Sequence, residues 1–354
     1  FAEVFANIKS TVFESDEKDG DVLTTIEPFV QTTLQDILVD IDAKWDTDGV
    51  GGIVMDPRTG EIVAMAYAPD FNPNEYSKAP NASVYANPNV ESVFEFGSVI
   101  KPLVMAGALD AGVVTKDTTY VDKGFIKVGD RTINNFDKVG RGTATMQDVL
   151  NQSLNTGMVF VEQKLGKERF KKYLLGYQIN QKTGIDLPGE VTSLTSNLNT
   201  NRDVEFANAA FGQGIALTPV AAIKAFSALG TGGVLPTPHV GKMIKYEFTE
   251  KELEHPTAQA AIKPETTEKI TDMLVGVAES VLKTYRLSVP HHTVAMKTGT
   301  AQMANPNGGG YFADKYLHSM FAYFPAYDPK FIVFVYAKNP KGIKYAAQTL
   351  SVPT

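Results

Sequence analysis

The stretch that decides the fold runs from residue 94 to residue 105 and reads Phe94-Glu95-Phe96-Gly97-Ser98-Val99-Ile100-Lys101-Pro102-Leu103-Val104-Met105. It is a loop end followed by an apolar segment, and it predicts a helix over residues 98–112. Ser98 and Lys101 lie one helical turn apart on one face, and we expect both to be buried. Gly97 suits a sharp entry into the helix. A serine hydroxyl is a poor nucleophile at neutral pH and needs a nearby base.

Two further motifs complete an ordered set of S-x-x-K, S-x-N and K-T-G-T. They are Ser153-Leu154-Asn155 and Lys297-Thr298-Gly299-Thr300. Single motifs of this kind are weak signals, because most serines and lysines lie on solvated surfaces. S-x-x-K also occurs at Ser15/Lys18 and Ser280/Lys283, and K-T-G also occurs at residues 182–184.

Sequence context selects among the copies. Ser15/Lys18 lies in an acidic stretch that we expect to be solvated, and Ser280/Lys283 lies on a helix with polar neighbours. Lys297 follows the apolar, β-branched run of residues 293–296, which is typical of a strand. The other K-T-G, at residues 182–184, lies in a predicted loop. The set formed by Ser98, Ser153 and Lys297 is therefore the one that can meet in a buried site.

Composition excludes several classes of protein. The chain has 354 residues and a formal net charge of −7, which argues against a nucleic-acid partner. No apolar run approaches the length of a membrane span. Cysteine is absent, so disulfides, thiolate metal sites and a cysteine nucleophile are excluded. The five histidines show no metal-ligand spacing, and we expect neither a metal nor a cofactor. His318 is expected to pack in the core.

The pattern of elements predicts an α+β fold. Strands are expected over residues 51–56, 61–68, 293–300, 317–324 and 331–338, and helices from Pro28 and over residues 98–112, 146–164, 167–175, 218–229 and 265–282. Residues 69–93 read as a loop, and residues 114–145 and 181–205 read as irregular. The strands from both ends of the chain would close one five-stranded antiparallel sheet covered by helices. The middle would form a mainly helical lobe, with the active site in the cleft between them.

The sequence resembles the transpeptidase domain of class B penicillin-binding proteins well beyond the three motifs. The segments that carry the resemblance are 54–65, 69–74, 183–190 and 211–219, in the family's order, across residues 21 to 350. In this family the second K-T-G belongs to a structural loop.

The resemblance implies a peptidoglycan D,D-transpeptidase that cross-links stem peptides and is acylated by β-lactams. Ser98 would be the nucleophile and Lys101 its base, Ser153 would relay a proton, and Asn155 would hold Lys101 and the substrate amide. Lys297 would supply positive potential, while Thr298, Gly299 and Thr300 would form the substrate-binding strand. Two residues depart from the family pattern, Phe96 and Met296, and we expect them to reshape the cleft wall.

Alternative functions stay open. A class A β-lactamase needs a glutamate that activates water, but the look-alike segment at residues 147–151 has Gln147 in its place. Class D enzymes and related sensors have S-x-V where this chain has Ser153-Leu154-Asn155. A D,D-carboxypeptidase and a penicillin-sensing receptor domain also remain. The Gly308-Gly309-Gly310 run is either a surface hairpin or a mobile flap beside the substrate.

Domain organisation is also an expectation. Residues 1–22 would be a linker or the remnant of an N-terminal pedestal, and residues 23–354 the transpeptidase domain. Its sheet lobe would comprise residues 23–70 and 290–354, and its helical lobe about 95–285. The chain begins at Phe1, and we expect a longer, extracytoplasmic parent protein. Its membrane anchor and its contacts with a glycan polymerase and with division or elongation proteins would lie in the missing N-terminal region.

Overall fold

The computed structural model describes residues 20–79, 82–256, 262–285, 292–305 and 308–350. Its strands are β1 Asp21–Thr24, β2 Val50–Met55, β3 Ile62–Ala68, β4 Thr119–Asp122, β5 Phe125–Val128, β6 Arg131–Asn134, β7 Gly142–Thr145, β8 Gly241–Lys245, β9 Glu250–Glu252, β10 Ala295–Ala304, β11 Tyr311–Phe324 and β12 Phe331–Lys338. Its α-helices are α1 Pro28–Trp45, α2 Pro88–Glu91, α3 Lys101–Asp110, α4 Met146–Asn151, α5 Asn155–Leu165, α6 Lys167–Gly176, α7 Asp203–Ala209, α8 Pro219–Ser227, α9 Pro264–Tyr285 and α10 Ala346–Leu350. Short 3₁₀ helices cover Pro73–Lys78, Ala82–Tyr85, Gly97–Ile100 and Ser196–Asn199.

The predicted central sheet is confirmed. Its strand order is β10-β11-β12-β2-β3, and every neighbouring pair is antiparallel. Both faces are covered, which explains why β2, β3 and β12 are mostly apolar. In β12, Phe334 and Tyr336 belong to the main core on the helical side, whereas Val335 and Ala337 pack in a second cluster with Leu38 of α1.

Strand β10 comes first in the strand order and is therefore an edge strand of the central sheet. Long helix α9 contacts β10 and also α3, so it joins the sheet to the helices of the chain's middle. Helix α8 contacts β12 and β2 from the same side. The helices of the middle therefore rest directly on the sheet, and the edge strand β10 borders the cleft. The division into two lobes at the predicted boundaries stays a prediction.

The start of the described chain differs from the prediction. Asp21 and Val22 belong to β1, which pairs with β8 in a three-stranded sheet of order β1-β8-β9. The sequence did not predict β8 or β9, because their few residues show no apolar alternation that separates them from a loop. Pro28 does open α1 at its first turn, as predicted. The remainder of the predicted linker, residues 1–19, lies outside the described residues.

The elements predicted between residues 69 and 164 need four corrections. The helix expected over residues 98–112 is a 3₁₀ turn at Gly97–Ile100 followed by α3, and the helix expected over 146–164 is broken into α4 and α5. The supposedly irregular stretch 114–145 forms two antiparallel pairs, β4 with β7 and β5 with β6. The loop predicted over residues 69–93 contains short helices. Elements of four to six residues bury too few side chains to leave a periodic pattern, which is why the sequence missed them.

Across the described ranges, no helix combines the length and the apolar character that crossing a membrane requires.

Candidate active site

The turn that carries Ser98 depends on two glycines. Gly97 has a φ of +64°, a left-handed conformation that is open to glycine, so the predicted sharp entry is confirmed. Its N–H donates to the carbonyl oxygen of Gly212 over 3.1 Å. A Cβ on Gly212 would lie 2.1 Å from the Gly97 oxygen, so only glycine permits this approach. Ser98 is half-buried rather than buried as predicted, because its side chain borders an open cavity.

Lys101 is fully buried, as predicted, and begins α3. Its Nζ donates to the Ser153 carbonyl oxygen over 2.6 Å and to Asn155 Oδ1 over 2.9 Å, and it lies 3.2 Å from Ser153 Oγ. Burial, and then the charge of Lys297, hold the pKa of Lys101 well below its ordinary value. The two carbonyl-type oxygens can only accept hydrogen bonds. A neutral Lys101 amine therefore keeps its lone pair for a hydroxyl.

Ser153 lies in the break between α4 and α5, with a φ of +56°. This left-handed residue ends α4, and the buried side chain of Leu154 anchors the turn that follows. The backbone strain is consistent with a position fixed by its surroundings. As a result, Ser153 Oγ lies 3.2 Å from Nζ of Lys101 and 3.2 Å from Nζ of Lys297. The serine hydroxyl thus connects the two lysines.

The orientation of the Asn155 side chain is fixed from both ends. Oδ1 accepts from Lys101, and Nδ2 donates to the carbonyl oxygen of Asn134 over 3.0 Å. One N–H of the Asn155 amide remains for a ligand.

A buried carboxylate supports this arrangement. Asp122 accepts hydrogen bonds from the side chains of Asn135 and Thr156 and from the backbone N–H of Arg141, at 2.8–3.0 Å. Asn135 Oδ1 also accepts from the Thr156 backbone N–H. The network joins both small hairpins to the first turn of α5. Sequence reasoning missed it because Asp122 and Asn135 share no motif spacing and come together only through pairing of short strands.

The K-T-G-T segment lies on β10. Lys297 is buried, and burial lowers its pKa from 10.5 to about 7. Its Nζ donates to the Thr298 carbonyl oxygen over 2.8 Å. A Cβ on Gly299 would lie 2.5 Å from the carbonyl oxygen of Phe96, so glycine lets β10 approach the nucleophile turn. Thr300 Oγ1 accepts from the backbone N–H of Ala346 over 3.1 Å.

These residues surround a cavity of about 470 Å³. Ser98, Asn155 and Thr300 line it, while Lys101, Ser153 and Lys297 lie behind its wall. Thr298 is half-buried and, in the described chain, is not part of the lining. The remaining lining residues were not found from the sequence; they are Gly97, Thr132, Ile133, Asn134, Asn135, Phe136, Lys138, Asn208, Phe211, Gln213, Gln302, Tyr316 and Lys344.

The other motif copies that the structure describes lie outside the cavity lining. Ser280 and Lys283 are exposed on α9. Thr183 of the second K-T-G donates its hydroxyl to Glu190 over 2.7 Å in a loop away from the cavity. Ser15/Lys18 lies outside the described residues.

The prediction that Phe96 and Met296 reshape the cleft wall is wrong, because neither side chain faces the cavity. The Phe96 ring is 1% exposed and packs edge-on against Phe334, with centroids 4.8 Å apart. Met296 is buried in the second cluster, on the other face of the sheet. Both side chains therefore fill the core instead of facing the cavity.

The histidines behave as packed or solvated residues. His318 is fully buried, as predicted, and its Nδ1 hydrogen-bonds with Thr349 Oγ1 over 2.8 Å. Within the residues that the structure describes, no three acidic, histidine or cysteine side chains are grouped in a way that could hold a metal ion. Of the adjacent residues His291 and His292, the structure describes only His292, which is exposed.

Comparisons with known proteins agree with this geometry. Stage V sporulation protein D of Bacillus subtilis is 35% identical over 342 residues, covering 95% of this chain and 52% of that protein. Peptidoglycan D,D-transpeptidase FtsI of Escherichia coli is 26% identical over 302 residues, covering 85% of this chain and 49% of that protein. The chain thus spans about half the length of these curated relatives.

A solved structure shows the same fold. The crystal structure of penicillin-binding protein 3 from Mycobacterium tuberculosis, complexed with ampicillin, superposes with a TM-score of 0.88 at 26% identity, covering 97% of this chain and 79% of that one. The family model described as the penicillin-binding protein transpeptidase domain matches residues 50–353. Motif order, site geometry and all three comparisons agree, and the chain belongs to the penicillin-binding protein transpeptidase domain family, as its class B resemblance predicted.

Proposed function

We propose that this chain is a serine D,D-transpeptidase that cross-links peptidoglycan stem peptides through an acyl-enzyme on Ser98. The observation that carries the proposal is the pair of buried lysines that meet at Ser153 Oγ. Within the described chain, neither lysine forms an ion pair with a carboxylate. Two buried like charges disfavour each other, so one lysine gives up its proton. Lys101 becomes the base, and Lys297 keeps the charge at pH values up to about 7.

Acylation then couples the attack of Ser98 to two proton transfers. Ser98 Oγ attacks the carbonyl carbon of the penultimate D-alanine and gives its proton to the neutral amine of Lys101. The C–N bond to the terminal D-alanine breaks, and the leaving nitrogen takes a proton delivered through Ser153. Ser98 Oγ makes no hydrogen bond to a described residue, and such contacts often tighten only with substrate bound. An amine of a neighbouring stem peptide then attacks the ester and releases Ser98.

Recognition of the donor uses the edge strand. Lys297 supplies positive potential, and the hydroxyls of Thr298 and Thr300 hold the terminal carboxylate. Thr300 Oγ1 already accepts from Ala346, so its own proton is free to point at an anion. Asn155 offers its remaining N–H to the substrate amide. The backbone N–H groups of Ser98, in the first turn of its 3₁₀ helix, and of Thr300, on an edge strand, form the oxyanion hole.

The acyl-enzyme should resist water. Among the described residues, none of those lining the cavity is a carboxylate. A β-lactamase of class A needs a glutamate to activate the deacylating water. Gln147 cannot fill this role, because its Nε2 donates to Asn151 and to the Met273 carbonyl oxygen. β-Lactams would therefore trap Ser98, in line with the ampicillin complex of the related protein.

The setting of the parent protein follows from the substrate. Peptidoglycan lies outside the cytoplasm, so we place this domain there, with the parent anchored to the membrane by a segment beyond the described residues. A glycan polymerase and division or elongation proteins would be its partners through that region. The curated relatives are about twice as long as this chain, which supports a parent with additional segments.

The test is labelling with a fluorescent penicillin followed by peptide mapping. We expect one adduct, on the peptide containing Ser98, and no adduct in Ser98→Ala. Ser280→Ala is the matched control, because it removes the exposed serine of another S-x-x-K copy and should label like the parent. Undiminished labelling of Ser98→Ala would show that the nucleophile is elsewhere.

A second measurement separates transfer from hydrolysis. The adduct should persist for many minutes, and a D-alanyl-D-alanine donor should release D-alanine faster when an acceptor amine is added. Rapid multiple turnover of penicillin would place the chain with the β-lactamases. D-Alanine release without transfer to the amine would indicate a carboxypeptidase, and a stable adduct with no release at all would indicate a sensor.

A further inference from the structure

The cavity beside Ser98 has a charge opposite to that of the whole protein. The chain carries a net charge of −7, yet the charged side chains that line the cavity are two lysines, Lys138 and Lys344. Neither forms an ion pair with a described residue. The nearby acid Asp137 is held by the guanidinium of Arg141 over 2.6 Å. The lysines therefore leave the cavity with uncompensated positive charge.

Lys344 is held close to the substrate strand. Two residues further on, the Ala346 backbone N–H donates to Thr300 Oγ1 over 3.1 Å. Helix α10 is also tied to β11 through the Thr349–His318 hydrogen bond, and His318 is the β11 partner of Thr300. These contacts place the Lys344 backbone at the end of the cavity that Thr300 forms.

The Lys344 side chain reaches across the cleft. Its Nζ lies 4.7 Å from the centroid of the Phe136 ring, on the loop after β6. Phe136 packs edge-on against Tyr345 and Tyr316, with centroids 5.4 Å and 6.2 Å apart. An ammonium group over an aromatic face is held without being neutralised. The aromatic group thus presents the charge of Lys344 to the cavity.

Lys138 is placed at some cost to the backbone. Its φ of +60° is left-handed, a conformation that glycine or asparagine adopts more readily than lysine. Its backbone N–H donates to the Asn135 carbonyl oxygen over 3.0 Å, so the turn is fixed. A residue retained in an unfavourable conformation at the border of a cavity is a candidate for ligand contact.

Two further acids, Glu95 and Glu205, have partners of their own. Glu95 accepts a hydrogen bond from the Tyr311 hydroxyl over 2.9 Å, and Glu205 pairs with Arg202 over 3.0 Å. Both belong to the surroundings of Gly214, outside the cavity lining. The positive end of the cavity is therefore separate from the acidic side chains.

We propose that Lys138 and Lys344 form a subsite for a second anionic group, so that the preferred acyl donors carry a carboxylate in the peptide or acyl side chain as well as the terminal one. The inference rests on the proposed acylation of Ser98 and adds the charge of the donor. The other lining side chains, such as Asn208, Gln213 and Gln302, are amides that suit a peptide.

The test uses four β-lactams that share one ring system. One pair carries a carboxylate on the acyl side chain, and the other pair carries the matching carboxamide. Within each pair, the ring carboxylate is free in one compound and esterified in the other. Acylation rates are measured for the parent, Lys138→Asn and Lys344→Met. Asparagine tolerates the left-handed turn, so Lys138→Asn removes the charge without straining the fold. Lys330→Met, which breaks an exposed ion pair with Asp328, is the control.

We expect the parent to react faster with the side-chain acid than with the carboxamide. Each cavity variant should lower that ratio by about two- to fivefold, because exposed charge pairs are worth about this much. Lys330→Met should keep the ratio, and carboxamide rates should stay near the parent's in all variants. Equal rates for acid and amide in the parent overturn the inference. The inference is also overturned if a variant loses acylation rate only with the compounds whose ring carboxylate is free. That result would assign Lys344 to the terminal carboxylate. No acylation of the parent by any of the four compounds would instead refute the proposed function itself.

Discussion

The pH dependence of stability tests the two buried lysines directly. Burial lowers the pKa of Lys297 from 10.5 to about 7, and burial together with the charge of Lys297 holds the pKa of Lys101 well below its ordinary value. In the unfolded chain both side chains regain ordinary pKa values near 10.4. Between pH 7 and 10 the unfolded state therefore binds protons that the folded state does not, and the free energy of unfolding rises with pH.

The size of the effect follows from the pKa of Lys297. A fall from 10.5 to about 7, at about 1.4 kcal/mol for each pH unit, amounts to about 5 kcal/mol. Between pH 8 and 9 a neutral Lys297 contributes a slope of about 1.4 kcal/mol per pH unit. This stability is present near pH 10 and is lost as the pH falls toward 7. Lys297→Met should remove this contribution from the slope.

The measurement is urea unfolding at several pH values between 8 and 9.5. The parent and Lys297→Met are compared with Lys330→Met, whose lysine is exposed and paired with Asp328. The slope is compared instead of the absolute stability, since the substitution also removes hydrogen bonds to Ser153 and Thr298. An unchanged slope in Lys297→Met would show that Lys297 stays protonated in the folded state between pH 8 and 9.5, and the low pKa of Lys297 would then be wrong.

Three further predictions concern the reaction. Lys101→Arg should not acylate at any pH between 6 and 10, because a guanidinium stays protonated, and near-normal labelling would place the base elsewhere. Lys297→Ala should raise the activation free energy of acylation by carboxylate-bearing β-lactams by roughly 2–4 kcal/mol. It should barely affect the poor reaction of an esterified analogue. Equal losses with both compounds would assign Lys297 to the chemistry or the fold. Gly299→Ala should slow acylation about 100-fold, because its Cβ, 2.5 Å from the Phe96 oxygen, must push β10 away from the nucleophile turn by close to 1 Å. Gly176→Ala is its control, since a Cβ there meets nothing within 4 Å, and equal rates in the two variants would exclude the close contact as the cause.

The long apolar strands and the amphipathic helices were predictable because burial leaves a periodic pattern in the sequence. Strand β12 was predicted at Phe331–Lys338, and α9 within a few residues of its ends. The small hairpins of residues 119–145 were not predictable, because strands of four residues mostly exposed to solvent carry almost no pattern.

The break at Ser153 shows where local reasoning fails. Apolar residues continue through 146–165 with helical spacing, which favours one helix. The structure ends α4 at Asn151 and turns the chain at Ser153, and this turn brings the serine hydroxyl between the two lysines. A left-handed serine is locally unfavourable, so only the surrounding packing selects it.

The sequence by itself determined the family, the five-stranded sheet, and which of the repeated motifs could share a buried site, because these depend on residue type and order along the chain. The tertiary structure alone decided which atoms meet. It placed Ser98 at an open cavity instead of in the core, buried Phe96 in the core, and brought Asp122, Asn135 and Lys344 to the site from distant segments. Distances across the cleft depend on how helices and strands pack, and packing is a property of the whole chain that no local pattern encodes.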